Sequence, residues 1–141
     1  MPITLTLTEG ALPPSALAPT VARITEAFLD AHGLAGHPVM TPNVTTHLVV
    51  LPEGTTFSGG RPVVGAWIET KTPAFALAER AVQSRFFAAA TRILHDASDG
   101  RLEPARIWSN GVPTVDGTWN IDGVARGDEE IVAALKAPAA A

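Results

Sequence analysis

Proline stands second in this chain, directly after Met1 and at the head of the run Ile3-Thr4-Leu5-Thr6-Leu7-Thr8. Loss of that one methionine turns its nitrogen into a free secondary amine, which no other coded residue can offer from its backbone. The pyrrolidine ring fixes φ and so limits how far the nitrogen lone pair can wander. Ile3, Leu5 and Leu7 alternate with three threonines, the period-two pattern of a half-buried strand in β-favouring residues. A strand that starts at a reactive nitrogen holds it rigidly, as a base or nucleophile requires. Free α-amino groups titrate near pKa ~7.7–8.0, and proline is intrinsically more basic. Burial among Leu, Val, Phe and Trp side chains disfavours the ammonium form, and a nearby cation would push the same way. The state expected near pH 7 is a neutral amine suited to general-base work. Imine formation, or protonation of an alkene during water addition, are alternative uses of the same nitrogen.

The elements that must position this proline fit in one domain over residues 1–141, and the chain is long enough for a real core. Its composition, 46% hydrophobic and 17% charged, leans toward an oligomer that covers part of the surface. A net charge of −4 without any Lys/Arg stripe argues against nucleic-acid binding. Zero cysteines exclude disulfides, thiol catalysis and thiolate metal sites. His32, His37, His47 and His95 lack metal-ligand spacing, so no metal is expected. Thr55 to Gly60 is glycine-rich but lacks the lysine of a phosphate loop, and no cofactor is expected. No apolar stretch approaches the ~20 residues of a membrane helix, and the N-terminus lacks a signal-peptide layout. The expectation is a cytoplasmic, soluble protein.

The chain reads as two passes of one unit, about residues 2–60 and 61–125. In the first, strand 3–9 is followed by Leu17, Val21, Ile24 and Phe28 at helical spacing, with Gly33 as the stop. Pro19 is awkward inside a helix, so the regular helix is expected from about Pro19 to His32. Val44 to Leu51 forms the second strand, and Phe57-Ser58-Gly59-Gly60 the turn after it. In the second pass, Pro62 to Glu69 reads as a strand. Thr72-Pro73 reads as a helix start, with Phe75, Ala78, Val82, Phe86, Ala89 and Ile93 on the buried stripe. Asp99-Gly100 stops that helix, Arg106 to Ser109 is the fourth strand, and Trp119-Asn120-Ile121-Asp122-Gly123 repeats the aromatic-before-glycine ending. A terminal helix is expected over about 127–137. The fold class is therefore α/β: two tandem β-α-β units forming a four-stranded, mostly parallel sheet with two helices on one face. The other face is expected to be bare and apolar until partners cover it.

Pro2 at a strand head, the doubled unit, and the Phe57…Gly59-Gly60 and Trp119…Gly123 turns resemble the tautomerase superfamily. The likeness is to its double-unit branches, the cis-3-chloroacrylic acid dehalogenases and the fused 4-oxalocrotonate tautomerases, and it covers about residues 2 to 125. The resemblance implies a homotrimer with Pro2 in a pocket at the subunit boundary. It also implies Pro2 as the catalytic amine and Lys71 at the second of two substrate-gripping positions, the first being occupied here by Ile68. His32 resembles the histidine near the end of the first helix, Arg106 the strand arginine and Trp119 the wall aromatic. No tyrosine exists in the chain to activate water, and Asn110 and Trp119 stand near the water-activating positions. That departure speaks against hydrolytic dehalogenation.

The expectation is a cofactor-independent isomerase whose Pro2 moves a proton on small carboxylate-bearing enols or unsaturated acids. Lys71 or Arg106 would hold the carboxylate or the developing enolate oxygen, while Trp119 and Phe57 exclude water. A dehalogenase, hydratase or decarboxylase on the same pocket is the alternative, as is a catalytically silent trimeric binding protein. Plainer readings stand beside each residue. Lys71 is by default a solvated turn lysine, Arg106 a surface partner of Glu103, and His32 a cation placed favourably at a helix C-terminus.

Overall fold

The computed structural model describes residues 1–136. In chain order it contains β1 (Pro2–Thr8), α1 (Pro14–Ala31), a short α2 (Met40–Asn43) and β2 (Thr45–Leu51). A small hairpin of β3 (Phe57–Ser58) and β4 (Arg61–Pro62) leads into β5 (Ala66–Pro73) and α3 (Arg80–Ala97). A 3₁₀ turn at Pro104–Arg106 opens β6 (Ile107–Thr114), and a second hairpin of β7 (Trp119–Ile121) and β8 (Val124–Arg126) precedes α4 (Asp128–Lys136).

The four long strands form one sheet in the order β2-β1-β5-β6. β1 runs parallel to β2 and β5 parallel to β6, as helical crossovers require. The two units meet antiparallel at β1 and β5, with Ile3 opposite Thr70 and Leu7 opposite Ala66. Alternation sends Ile3, Leu5 and Leu7 of β1, with Ala66 and Ile68 of β5, to one face, where none is more than 1% exposed. Ile24 and Phe28 of α1 and Phe86, Ala90 and Leu94 of α3 close over that face and complete the core. Both hairpins turn through two residues at positive φ, Gly59-Gly60 and Asp122-Gly123. This is the backbone that matches the natural twist of paired strands.

Several boundaries differ from expectation, each for a physical reason. α1 begins at Pro14, not near Pro19, because Pro14 occupies a first-turn position where its missing N–H costs nothing. Pro19 lies inside the helix; it and Ser15, whose carbonyl loses its partner, are both exposed, so water can serve that carbonyl. β5 spans Ala66–Pro73, not 62–69, and Pro62 belongs to the β3–β4 hairpin opposite Phe57. Thr72 is a strand residue only 2% exposed, not a helix cap, since pairing with β6 carries β5 through to Pro73. α3 starts at Arg80 instead, leaving Phe75 and Ala78 in the preceding loop. α4 ends among the described residues at Lys136, and position 137 of the expected helix lies outside them.

The sheet face away from the helices is mixed, not bare and apolar. His47, Thr4, Glu69 and Asn110 form one row across all four strands. Val49, Thr6, Trp67 and Trp108 form the next, with the two indoles stacked at 4.9 Å. Gly65 sits where that stack meets the sheet. A Cβ there would lie 2.7 Å from Trp108 Cζ3 and 2.9 Å from the Arg106 carbonyl oxygen. Gly65→Ala is expected to lower unfolding free energy by about 1–3 kcal/mol through overpacking. A urea midpoint equal to that of the parent chain would contradict this packing.

Candidate active site

The head of β1 is enclosed. Met1 is only 6% exposed, and its carbonyl accepts from the Thr45 N–H at 3.2 Å, so the start of β2 clasps the chain terminus. The Met1 amine donates to the Asn43 carbonyl oxygen at the end of α2. Desolvation outweighs that bond and lowers the amine pKa from 8.0 to about 6. Between pH 6 and 8 the unfolded Met1-bearing chain thus binds more protons than the folded one, and its stability rises with pH. Urea unfolding of Met1-bearing protein at pH 6 and pH 8 checks the sign; an unchanged midpoint would mean the amine is solvated.

A cavity of about 510 Å³ opens beside Met1. Its walls come from the end of α1 and the turn after it (Ala31, His32, Leu34), the loop after β5 (Phe75, Ala76, Glu79), Val82 of α3, and one side of α4 (Val132, Leu135, Lys136). A second cavity of about 300 Å³, between Thr72, Gln83, Phe87 and Gly111, has no titratable lining residue. Met1 and His32, the residues tied to the candidate chemistry, line the first.

His32 is on the cavity wall, and both its ring nitrogens face main-chain carbonyls. Nδ1 lies 2.7 Å from the Phe28 oxygen and Nε2 2.5 Å from the Ala76 oxygen. The ring also leans on Phe28 at 4.4 Å. In this state His32 ties the end of α1 to the loop after β5 and offers no free nitrogen to a ligand. His32→Ala is expected to leave the core intact but loosen that wall, raising KM more than it lowers kcat. Unchanged kinetics in His32→Ala would remove His32 from the site.

The other sequence-derived candidates are spread over the chain. Lys71 follows Thr70, the partner of Ile3, and so lies at the Pro2 end of the sheet. Its side chain is 55% exposed and its Nζ is 3.2 Å from Glu69 Oε1. Arg106 directly precedes β6, whose first residue pairs with Ala66, itself opposite Leu7; this is the far end of the sheet from Pro2. Phe57 is 58% exposed in the β3–β4 hairpin, near Thr8 at the same far end. Trp119 lies half-buried against the core in β7, at the base of the hairpin leading into α4. Within one chain, then, Pro2, His32 and Lys71 share an end of the sheet, while Arg106 and Phe57 do not.

Sequence reasoning missed α4 as a wall. The signal was present in Ile131, Val132 and Leu135, an apolar stripe on a helix opened by Asp128, Glu129 and Glu130. Among the described residues there is no cluster of three metal-ligating side chains and no helix long and apolar enough to cross a membrane.

No protein-family model matches the chain, and no curated protein matches it as a relative. Solved structures do match over nearly its whole length. A fused 4-OT symmetric trimer superposes with a TM-score of 0.75 at 9% identity, covering 93% of this chain and 98% of that one. A member of the cis-3-chloroacrylic acid dehalogenase family gives 0.74 at 15% identity, covering 98% and 93%. Pt0534, in a structure inactivated by 2-oxo-3-pentynoate, gives 0.76 at 14% identity, covering 93% and 98%.

Proposed function

On what is thus a tautomerase-superfamily fold, we propose that the chain, once Met1 is removed, is a cofactor-independent isomerase whose Pro2 nitrogen moves protons on small carboxylate-bearing enols. The observation that carries this reading is the position of Met1. It directly precedes β1, it is buried, and it lines the cavity of about 510 Å³. Removing it uncovers the nitrogen of the next residue at that cavity. The desolvation that lowers the Met1 amine supports a Pro2 amine left neutral near pH 7.

With an enol of a 2-oxo acid, the Pro2 lone pair takes the enol O–H proton. Electrons shift from oxygen through the C=C bond, and the Pro2 ammonium returns a proton to the alkene carbon that does not bear the oxygen, yielding the ketone. Nothing is oxidised or reduced, and the amine is regenerated. Apolar walls exclude water and strengthen the interaction with the developing enolate. A homotrimer fits the reading, because the fused 4-OT neighbour is a trimer. Arg106 and Phe57, remote from Pro2 within one chain, would then reach a site only in an adjoining subunit. Lyase or hydratase chemistry would use the same nitrogen. In a chain that keeps Met1 the Pro2 nitrogen is an amide with no lone pair to offer, which favours a silent binding role for the unprocessed form.

The test is ketonisation of phenylenolpyruvate by protein shown to lack Met1 by intact mass, beside protein with a residual extension before Pro2. Turnover confined to the Met1-free form is expected. Equal rates in both would end the isomerase reading. An acetylenic 2-oxo acid such as 2-oxo-3-pentynoate serves as a second probe, since a free neutral amine adds to its alkyne.

A further inference from the structure

The cavity beside Met1 is lined by one lysine and one glutamate. Lys136, on the last turn of α4, and Glu79, directly before α3, both line it, together with the apolar Leu34, Phe75, Val82 and Leu135. Of the cations named from sequence, Lys71 is engaged by Glu69 and Arg106 lies at the other end of the sheet. Among the described residues no carboxylate is within ion-pair distance of Lys136. Asp128 and Glu129 share a shallow groove with it on the outer side of α4, and Glu79 lines the same cavity.

We propose that Lys136 is the carboxylate anchor of this site and that, with Glu79, it selects monocarboxylates bearing an aryl or alkyl body; this rests on the proton-transfer reading above. A lysine stem can lie along apolar surface while its ammonium reaches either water or a ligand. Facing a cavity walled by Phe75, Val82 and Leu135, the ammonium meets a carboxylate in a setting less screened than bulk water. Its charge-assisted hydrogen bond is then the strongest polar contact available there. A dicarboxylate would carry its second charge toward Glu79 and the apolar wall, where repulsion and lost hydration both oppose it. An apolar distal group meets neither cost.

Binding of trans-cinnamate, an unreactive monocarboxylate, to Met1-free protein by calorimetry tests this separately from turnover. A charge-assisted hydrogen bond predicts that Lys136→Met weakens cinnamate about 10- to 100-fold. Lys136→Arg is expected to stay within about threefold, since it keeps the charge. Muconate, a dicarboxylate, is expected to bind at least about tenfold more weakly than cinnamate. In the ketonisation assay, Lys136→Met raises KM and leaves kcat little changed. Unaltered cinnamate affinity in Lys136→Met, no cinnamate binding to the parent protein, or muconate binding as tight as cinnamate would each overturn the anchor. Lys136-dependent cinnamate binding with turnover indifferent to Pro2 would leave the anchor standing and sink the proton-transfer reading. Pro2-dependent turnover with no effect of Lys136→Met would do the reverse.

Discussion

Pro2→Ala in the Met1-free protein is expected to lower kcat/KM for enol ketonisation by about 10²-fold or more, the range a positioned general base contributes. The substitution keeps an α-amine at the same address and removes the ring. What it loses is the fixed φ that aims the lone pair and the secondary amine itself. Pro2 takes part in pairing with Thr45 at the edge of the ladder and is not a core residue, so the urea midpoint should hardly move. The split between lost rate and retained stability distinguishes a chemical role from a structural one. A variant as active as the parent would mean that the proton moves elsewhere.

The largest effect on stability is expected at Phe86. Its side chain is fully buried and meets Phe28 edge-to-face at 5.1 Å, locking α3 to α1 above the sheet. Phe86→Ala removes a ring from a packed interior and should cost about 3–5 kcal/mol of unfolding free energy. The damage should extend to the candidate site, since Phe28 also supports the His32 ring. Urea denaturation measures the first effect. A loss below about 1 kcal/mol would show that the two helices are held together by something other than this aromatic pair.

Most of the fold was legible because its signals are local. Ile3, Leu5 and Leu7 alternate against threonines, and the stripe through Val82, Phe86 and Ile93 repeats at helical spacing, so strand and helix types follow from periodicity. The errors lie where distant pairing overrides a local rule. Thr72-Pro73 has the composition of a helix start, yet the parallel ladder with β6 keeps it in the sheet. Pro62 carries strand-head composition, yet the tight turn at Gly59-Gly60 folds it back onto Phe57. Both outcomes depend on partners dozens of residues away, which no window of sequence contains.

The candidate site was legible in Pro2 and His32 and not in the rest of its walls. Pro2 and the strand that carries it stand in the first residues of the chain. Lys136 and Glu79 reach the same cavity only because the second hairpin turns the chain so that α4 lies beside the loop after β5. Arg106 was named for its likeness to a strand arginine and Phe57 for its aromatic–glycine turn, and within one chain both lie at the far end of the sheet from Pro2. The antiparallel meeting of β1 and β5 places the head of the second unit at the opposite end of the sheet from the head of the first.

Incubation of Met1-free protein with 2-oxo-3-pentynoate, followed by peptide mapping, bears most directly on a free and neutral Pro2 nitrogen. That amine attacks the alkyne carbon distal to the ketone while its proton passes to the adjacent carbon, so the entire reagent mass is retained. One adduct per chain, located on Pro2 and absent from protein that keeps Met1, is the expected result. Labelling at lysine side chains alone, or no labelling at pH 7 under conditions that label a free proline amide, would contradict it.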